Sequence, residues 1–188
     1  MYLLSAKRKS PTGRDQASVS EVEACFRDER DLLFRLAWLV AGDKAIAEQS
    51  VVNACNITVQ GHSPFRDWLT EWAKSSTIMS AISKTLDAIR SCEQAYKDLR
   101  CPHSEHRGQY NDVERCMSFL VGFDPSIIIA EIDPLARAVL VLRTATRASI
   151  QDCALRLNVS RSIVLAANCR AMTWLHDKQL QQHHPECG

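Results

Sequence analysis

The chain has 188 residues, 46% of them hydrophobic, and its 23 Lys and Arg are nearly balanced by 22 Asp and Glu, leaving a formal charge of +1. Such a length and apolar content suit one medium domain or two small ones and exclude disorder as the default state. The near-zero charge excludes a protein that holds nucleic acid by bulk charge alone.

No apolar run approaches the roughly 20 residues needed to cross a bilayer. Met1-Tyr2-Leu3-Leu4 ahead of Lys7-Arg8-Lys9 also reverses the charged-then-apolar order of a secretory signal, so a cytoplasmic protein without membrane contact is expected. Residues 1–20 mix Lys, Arg, Ser, Pro, Thr and Gly without apolar period and read as a disordered, mildly basic tail. From Glu21, the apolar residues Leu32, Leu33, Leu36, Ala37 and Val40 recur at helical spacing, with Phe34, Trp38 and Leu39 widening the stripe. Gly42 supplies the left-handed residue that stops this helix, and Asp43 can cap the next. That second helix carries Ala47, Val51, Ala54 and Thr58 on one side, and Gly61 closes it. Ser63-Pro64 predicts a third helix, with Ser as cap and Pro in the first turn. Its face of Phe65, Trp68, Leu69, Trp72 and Ala73 reads as core, continued by Ile78, Ile82, Leu86 and Ile89. Strand patterning is absent from this region.

Residues 101–126 turn polar and read as a linker, with Met117, Phe119, Leu120 and Val121 suggesting a short anchored helix inside it. Cys101, His103 and His106, flanked by Cys92 and Cys116, could in principle supply thiolate and imidazole ligands to a tetrahedral zinc. Without a Cys-x-x-Cys pair the cluster reads as solvated linker, so no metal and no cofactor are expected. The eight cysteines are scattered, several within apolar helical stretches, which speaks against a disulfide framework.

Beyond the linker, Asp133-Pro134 opens a helix containing Leu135, Ala138, Val139 and Leu142, with Arg137 and Arg143 on its flank. A shorter helix from about Ile150 to Leu157 then breaks at Asn158-Val159-Ser160, and a last helix runs from Arg161 through Leu175. Two helices joined by so short a turn need a small residue in the first, a turn residue that tolerates positive φ and a branched apolar residue in the second. Ala154, Asn158 and Val164 occupy those places, and Ser160 can cap the second helix. The spacing is that of a helix-turn-helix, whose second helix enters the major groove in DNA-binding versions. The whole chain therefore reads as all-α: a helical domain over residues 21–100, a linker over 101–126, a helix-turn-helix domain over 127–180 and a disordered tail over 181–188.

Ile132-Asp133-Pro134-Leu135-Ala136-Arg137-Ala138-Val139-Leu140-Val141-Leu142-Arg143, followed by Ser149-Ile150-Gln151-Asp152-Cys153-Ala154 and Val159-Ser160, resembles region four of extracytoplasmic-function sigma factors of bacterial RNA polymerase. Leu33-Phe34-Arg35-Leu36-Ala37 with Gly42-Asp43 and Ala47-Glu48 is similar to region two, and Phe65-Arg66-Asp67-Trp68-Leu69 resembles its third conserved helix. The resemblance covers most of residues 25 to 175. It implies that Glu48, Gln49, Val52 and Asn53 face the polymerase core. It also implies that Lys74 and Lys84 in the front half, with Arg147, Arg161, Ser162, Leu165, Asn168 and Arg170 in the back half, meet promoter DNA.

The chain departs from the family's pattern at Gln49, Ser50, Val51, Val52 and Asn53, around Lys74-Ser75-Ser76-Thr77, and at Leu165 and Ala167, where the recognition helix usually carries Lys and Arg. Two function classes follow: a transcription initiation regulator that binds polymerase and promoter DNA, or a sigma-fold protein that binds a protein partner such as an anti-sigma factor. An enzyme acting on a small-molecule substrate is not expected, because no helix brings His together with a carboxylate and a nucleophile at a recognisable spacing.

Overall fold

A computed structural model describes residues 16–61, 64–99 and 113–183. Ten α-helices fill these segments, and no strand forms among the described residues beyond an isolated bridge between Gln16 and Phe65. No described helix is long and apolar enough to cross a membrane.

Helix α1 (Val19–Asp28) begins earlier than the expected tail boundary, because Ser18 and Glu21 form a reciprocal cap. The Ser18 hydroxyl accepts from the Glu21 amide at 3.3 Å, and the Glu21 carboxylate accepts from the Ser18 amide at 2.8 Å. The single helix predicted up to Gly42 is instead two, since Glu29 leaves the helical region at φ −92°, ψ 8° and α2 runs Arg30–Ala41. The break has a packing reason. It lets Val22 and Phe26 join Leu33, Ala54, Leu69 and Ala73 in a small satellite core, while Leu36, Leu39 and Val40 enter the main one.

Gly42 takes the left-handed conformation at φ 73°, and Asp43 caps α3 (Lys44–Gln60) by accepting from the Ile46 amide at 2.8 Å. The next helix departs from expectation. Pro64 does not sit in a first turn; its carbonyl accepts from the Ala17 amide at 2.9 Å, Phe65 stays extended, and a 3-10 turn over Arg66–Trp68 precedes α4 (Leu69–Ser91). Pairing of the incoming chain at Gln16-Ala17 with Pro64-Phe65 holds that segment out of the helix and turns the predicted aromatic core stripe outward. Leu69 and Ala73 are buried, but Phe65, Trp68 and Trp72 are exposed.

Helices α5 (Glu93–Tyr96), α6 (Val113–Gly122) and α7 (Pro125–Glu131) lead to α8 (Pro134–Ala145), α9 (Ile150–Leu157) and α10 (Arg161–His183). The second half of the predicted linker is thus helical, with Cys116 and Leu120 buried, and α10 extends beyond the predicted fraying point. Every residue of α8 from Leu135 to Leu142 is buried, a run apolar save for Arg137, so α8 is the central helix. Helices α2 and α4 from the front half, and α6, α7, α9 and α10 from the back, pack on it. One continuous core results, running from Leu36 to Leu175 across the boundary expected between two domains.

That arginine is not on a flank. Arg137 is 5% exposed, its Nε donating to the Leu39 carbonyl at 2.9 Å and its Nη1 to the carbonyls of Ile129 and Ile132 at 3.0 and 2.8 Å. These oxygens lie in the last turns of α2 and α7, where helix carbonyls lack intrahelical donors and the helix dipole favours a cation. Arg35 of α2 donates likewise to the Leu120 and Phe123 carbonyls at the end of α6. Each half of the chain therefore caps helix ends of the other.

Candidate functional site

The helix-turn-helix is built from its caps inward. Ser149 and Asp152 form a capping box at the start of α9, with Ser149 Oγ accepting from the Asp152 amide at 3.0 Å and the Asp152 carboxylate accepting from the Ser149 amide at 2.9 Å. The Ser149 hydroxyl, which also donates to the Asp152 carboxylate at 2.7 Å, and then the Ser149 amide hold that carboxyl below the usual carboxylate range. Asn158 then adopts φ 53°, ψ 47°, the left-handed region that Asn tolerates better than most side chains. The Val159 amide returns to the Ala154 carbonyl at 3.1 Å, closing the turn, and Ser160 Oγ accepts from the Ile163 amide at 3.4 Å at the head of α10. Ala154 is 7% exposed and Val164 fully buried, so the small and branched positions take the packing roles read from the sequence. Cys153 sits beside them, and burial pushes its thiol up to about 11.

Not every residue predicted to meet DNA is presented to solvent. Arg161 and Ser162 are exposed in the first turn of α10, Leu165 is 42% exposed one turn on, and Arg147 is exposed in the loop before α9. Arg170, although half exposed, pairs with Asp133 at 3.3 Å and lies over the Tyr96 ring. Tyr96 in turn donates its hydroxyl to Asp133, whose other oxygen caps α8 by accepting from the Leu135 and Ala136 amides at 3.1 Å. Burial, followed by the bond to Asp133, pushes the Tyr96 hydroxyl well above its ordinary value. Arg170 thus ties α10 to α5 and α8. Asn168 has a buried amide oxygen without a hydrogen-bond partner. Ala167, read with Leu165 as a departure from the charged recognition helix of the family, is fully buried and belongs to the core. Leu155 of α9 is 70% exposed, an apolar surface residue that sequence reasoning missed.

In the front half, Lys84 is exposed, whereas Lys74 is mostly covered and pairs with Glu71 at 2.8 Å. The residues predicted to face polymerase lie along exposed α3. Glu48 and Val52 line a surface cavity of about 180 Å³ together with Arg30, Phe34 and Val51. Asn53 leans the other way and donates to Ser80 of α4 at 3.1 Å; Gln49 is exposed. Arg30 and Phe34 were not foreseen as part of this surface, because their contribution depends on how α2 lies beside α3. The two arginines at helix ends left a fainter signal: Arg137 is an isolated charge within the apolar run Leu135 to Leu142.

Cys101, His103 and His106 lie outside the described residues, and no group of three or more His, Cys, Asp or Glu is placed to hold a metal among the described ones. Cys25, Cys55, Cys92 and Cys153 are thiols, whereas Cys169 is engaged in a disulfide, a feature the sequence reading did not anticipate. Compared with family models, curated proteins and solved structures, the chain matches none.

Proposed function

We propose that the chain is a sigma-factor-like regulator of transcription initiation, acting in the cytoplasm with RNA polymerase core. In this reading α3 meets the polymerase around the cavity lined by Glu48 and Val52, and the α9–α10 pair meets promoter DNA. The observation that carries it is the left-handed Asn158, which ends α9 and launches α10 with Arg161 and Ser162 exposed in its first turn. A helix start of this kind offers side chains to base edges and phosphates while its other faces stay in the core. The reading assigns no catalytic chemistry.

The test is retention of a genomic promoter library by the chain plus core polymerase, at two salt concentrations and with random DNA as competitor. Retention should fall with salt, and Arg161→Ala with Ser162→Ala should weaken it by about tenfold or more if one bidentate base contact is lost. Retention that ignores both substitutions would sink the assignment of α10.

A second reading has its own support in the exposed Leu155 and Leu165, which give the motif an apolar surface where a DNA reader usually carries charge. Here the chain keeps the sigma architecture but binds a protein, such as an anti-sigma factor, through that surface. Leu155→Asp with Leu165→Asp separates the two, since it should abolish capture of a protein partner while leaving polymerase association through α3 intact.

A further inference from the structure

The front half presents three aromatic rings to solvent: Phe65 at 55% exposure, Trp68 at 69% and Trp72 at 47%. Phe65 and Trp68 stand edge to face with centroids 6.3 Å apart, and the Trp72 indole is fixed by donating to Thr58 Oγ1 at 3.2 Å. Large aromatic side chains held in place yet left open form an unusual surface, because each forfeits apolar burial that folding normally takes. The nearby cations do not fit the face for an anionic ligand, since Arg66 is paired with Glu21 at 2.8 Å and Lys74 with Glu71 at 2.8 Å. Asp67, between the first two rings, adds negative charge. Over residues 16–99, twelve Asp and Glu stand against nine Lys and Arg. The complement of this face is an apolar segment with basic neighbours.

The chain itself supplies one. Residues 1–15 lie outside the described residues; their sequence opens with Met1-Tyr2-Leu3-Leu4 and carries Lys7, Arg8, Lys9 and Arg14 against a single acid, Asp15. They join the described structure at Gln16, which bridges to Phe65, while the Ala17 amide bonds to the Pro64 carbonyl at 2.9 Å. The segment is therefore tethered at the edge of the aromatic face. About 12 residues separate Leu4 from that anchor, a length of chain that reaches at most about 40 Å. Such a tether raises the local concentration of the segment to the millimolar range. We propose that the face formed by Phe65, Trp68 and Trp72 is an intramolecular docking site for Tyr2, Leu3 and Leu4, with Lys7, Arg8 and Lys9 set against the acidic front half.

The test uses the full chain with p-benzoylphenylalanine in place of Tyr2, irradiated at low concentration as an equal mixture of light and heavy isotope-labelled protein. The expected result is a cross-link from position 2 to the peptide spanning residues 64–74, within one label. Trp68→Ser, at a position exposed enough to leave folding intact, should remove it. Leu3→Asp with Leu4→Asp should lower its yield by about tenfold or more, the least that losing one buried leucine implies. The same double change in the otherwise native chain should raise acrylamide quenching of tryptophan emission. Cross-links joining light to heavy chains would assign the face to a second copy and overturn the proposal. Cross-links mapping elsewhere, none at all, or a yield indifferent to both sets of substitutions would overturn it as well.

Discussion

A single guanidinium carries more of this fold than its place in the sequence suggests. Arg137 supplies donors to three carbonyls in the last turns of α2 and α7, and no carboxylate pairs with it at salt-bridge distance among the described residues. Burial lowers its pKa from the usual value. Arg137→Met keeps much of the volume but leaves three buried acceptors unpaired, which should cost about 3 kcal/mol or more in urea unfolding. Gly42 is coupled to it. A Cβ at Gly42 would lie 2.9 Å from Arg137 Nη2, on a residue with φ +73°. Gly42→Ala should therefore lose about 1–2 kcal/mol from backbone strain alone, and measurably more because the guanidinium must move. In an Arg137→Met background the second part should vanish, so a double-mutant cycle that returned strict additivity would show the contact to be without consequence. Glu21 gives a prediction in pH at the same scale. The Ser18 amide and hydroxyl, then Arg66, hold its carboxyl down at about 2 from 4.5. A carboxylate lowered in the folded state contributes stability that is complete above its unfolded value and fades as pH falls toward 2. Carbonyl NMR should place the Glu21 midpoint near 2, with fraying of α1 following it, and a midpoint near 4.5 would show the capping box to be unformed.

Among the elements, the turn between α9 and α10 tests whether its backbone is obligatory. Asn158→Gly should leave stability nearly unchanged, since Gly enters the left-handed region freely, whereas Asn158→Val should lose about 1–2 kcal/mol in thermal unfolding. Equal tolerance of both would mean the chain can leave that conformation. This turn, the caps at Asp43 and Ser160, the helix start at Asp133-Pro134 and the stop at Gly42 were legible in the sequence, because each depends on one residue and its immediate neighbours. What failed to show was non-local. The outward turn of Phe65, Trp68 and Trp72 follows from a bridge between residues nearly fifty positions apart, and the split at Glu29 from a choice between two cores. Of the candidate site, Arg161 and Ser162, named from the sequence for promoter contact, are exposed in the first turn of α10. The diversion of Arg170 to Asp133 and Tyr96, and the burial of Ala167, depend on how α10 lies against α8 and α5, which periodicity cannot rank.

At the scale of the molecule, the halves are joined through more than apolar contact. Arg35 and Arg137 cap helix ends across the junction, and Arg156 of α9 donates to Ser75 of α4 at 3.3 Å. With α2 and α4 both packed on α8 in one core, unfolding should be a single transition, with far-ultraviolet dichroism and tryptophan emission coincident in denaturant. Two separated transitions would mean that the front and back helices fold as independent units.

Helix α10 gives this architecture a mechanical property. It spans 23 residues, about 34 Å at 1.5 Å per residue. Farther along the rod, Trp174 donates to Glu131 at 2.7 Å, Lys178 grips the same carboxylate, and the rings of Phe119 and Phe123 meet the indole edge to face. Arg161 and Trp174 are about 20 Å apart along one axis, and between them Val164, Ala167 and Ala171 are buried in the main core while Arg170 holds Asp133. A load applied at the exposed tip is therefore borne along the length of the rod by the central helix, not passed to the far end alone.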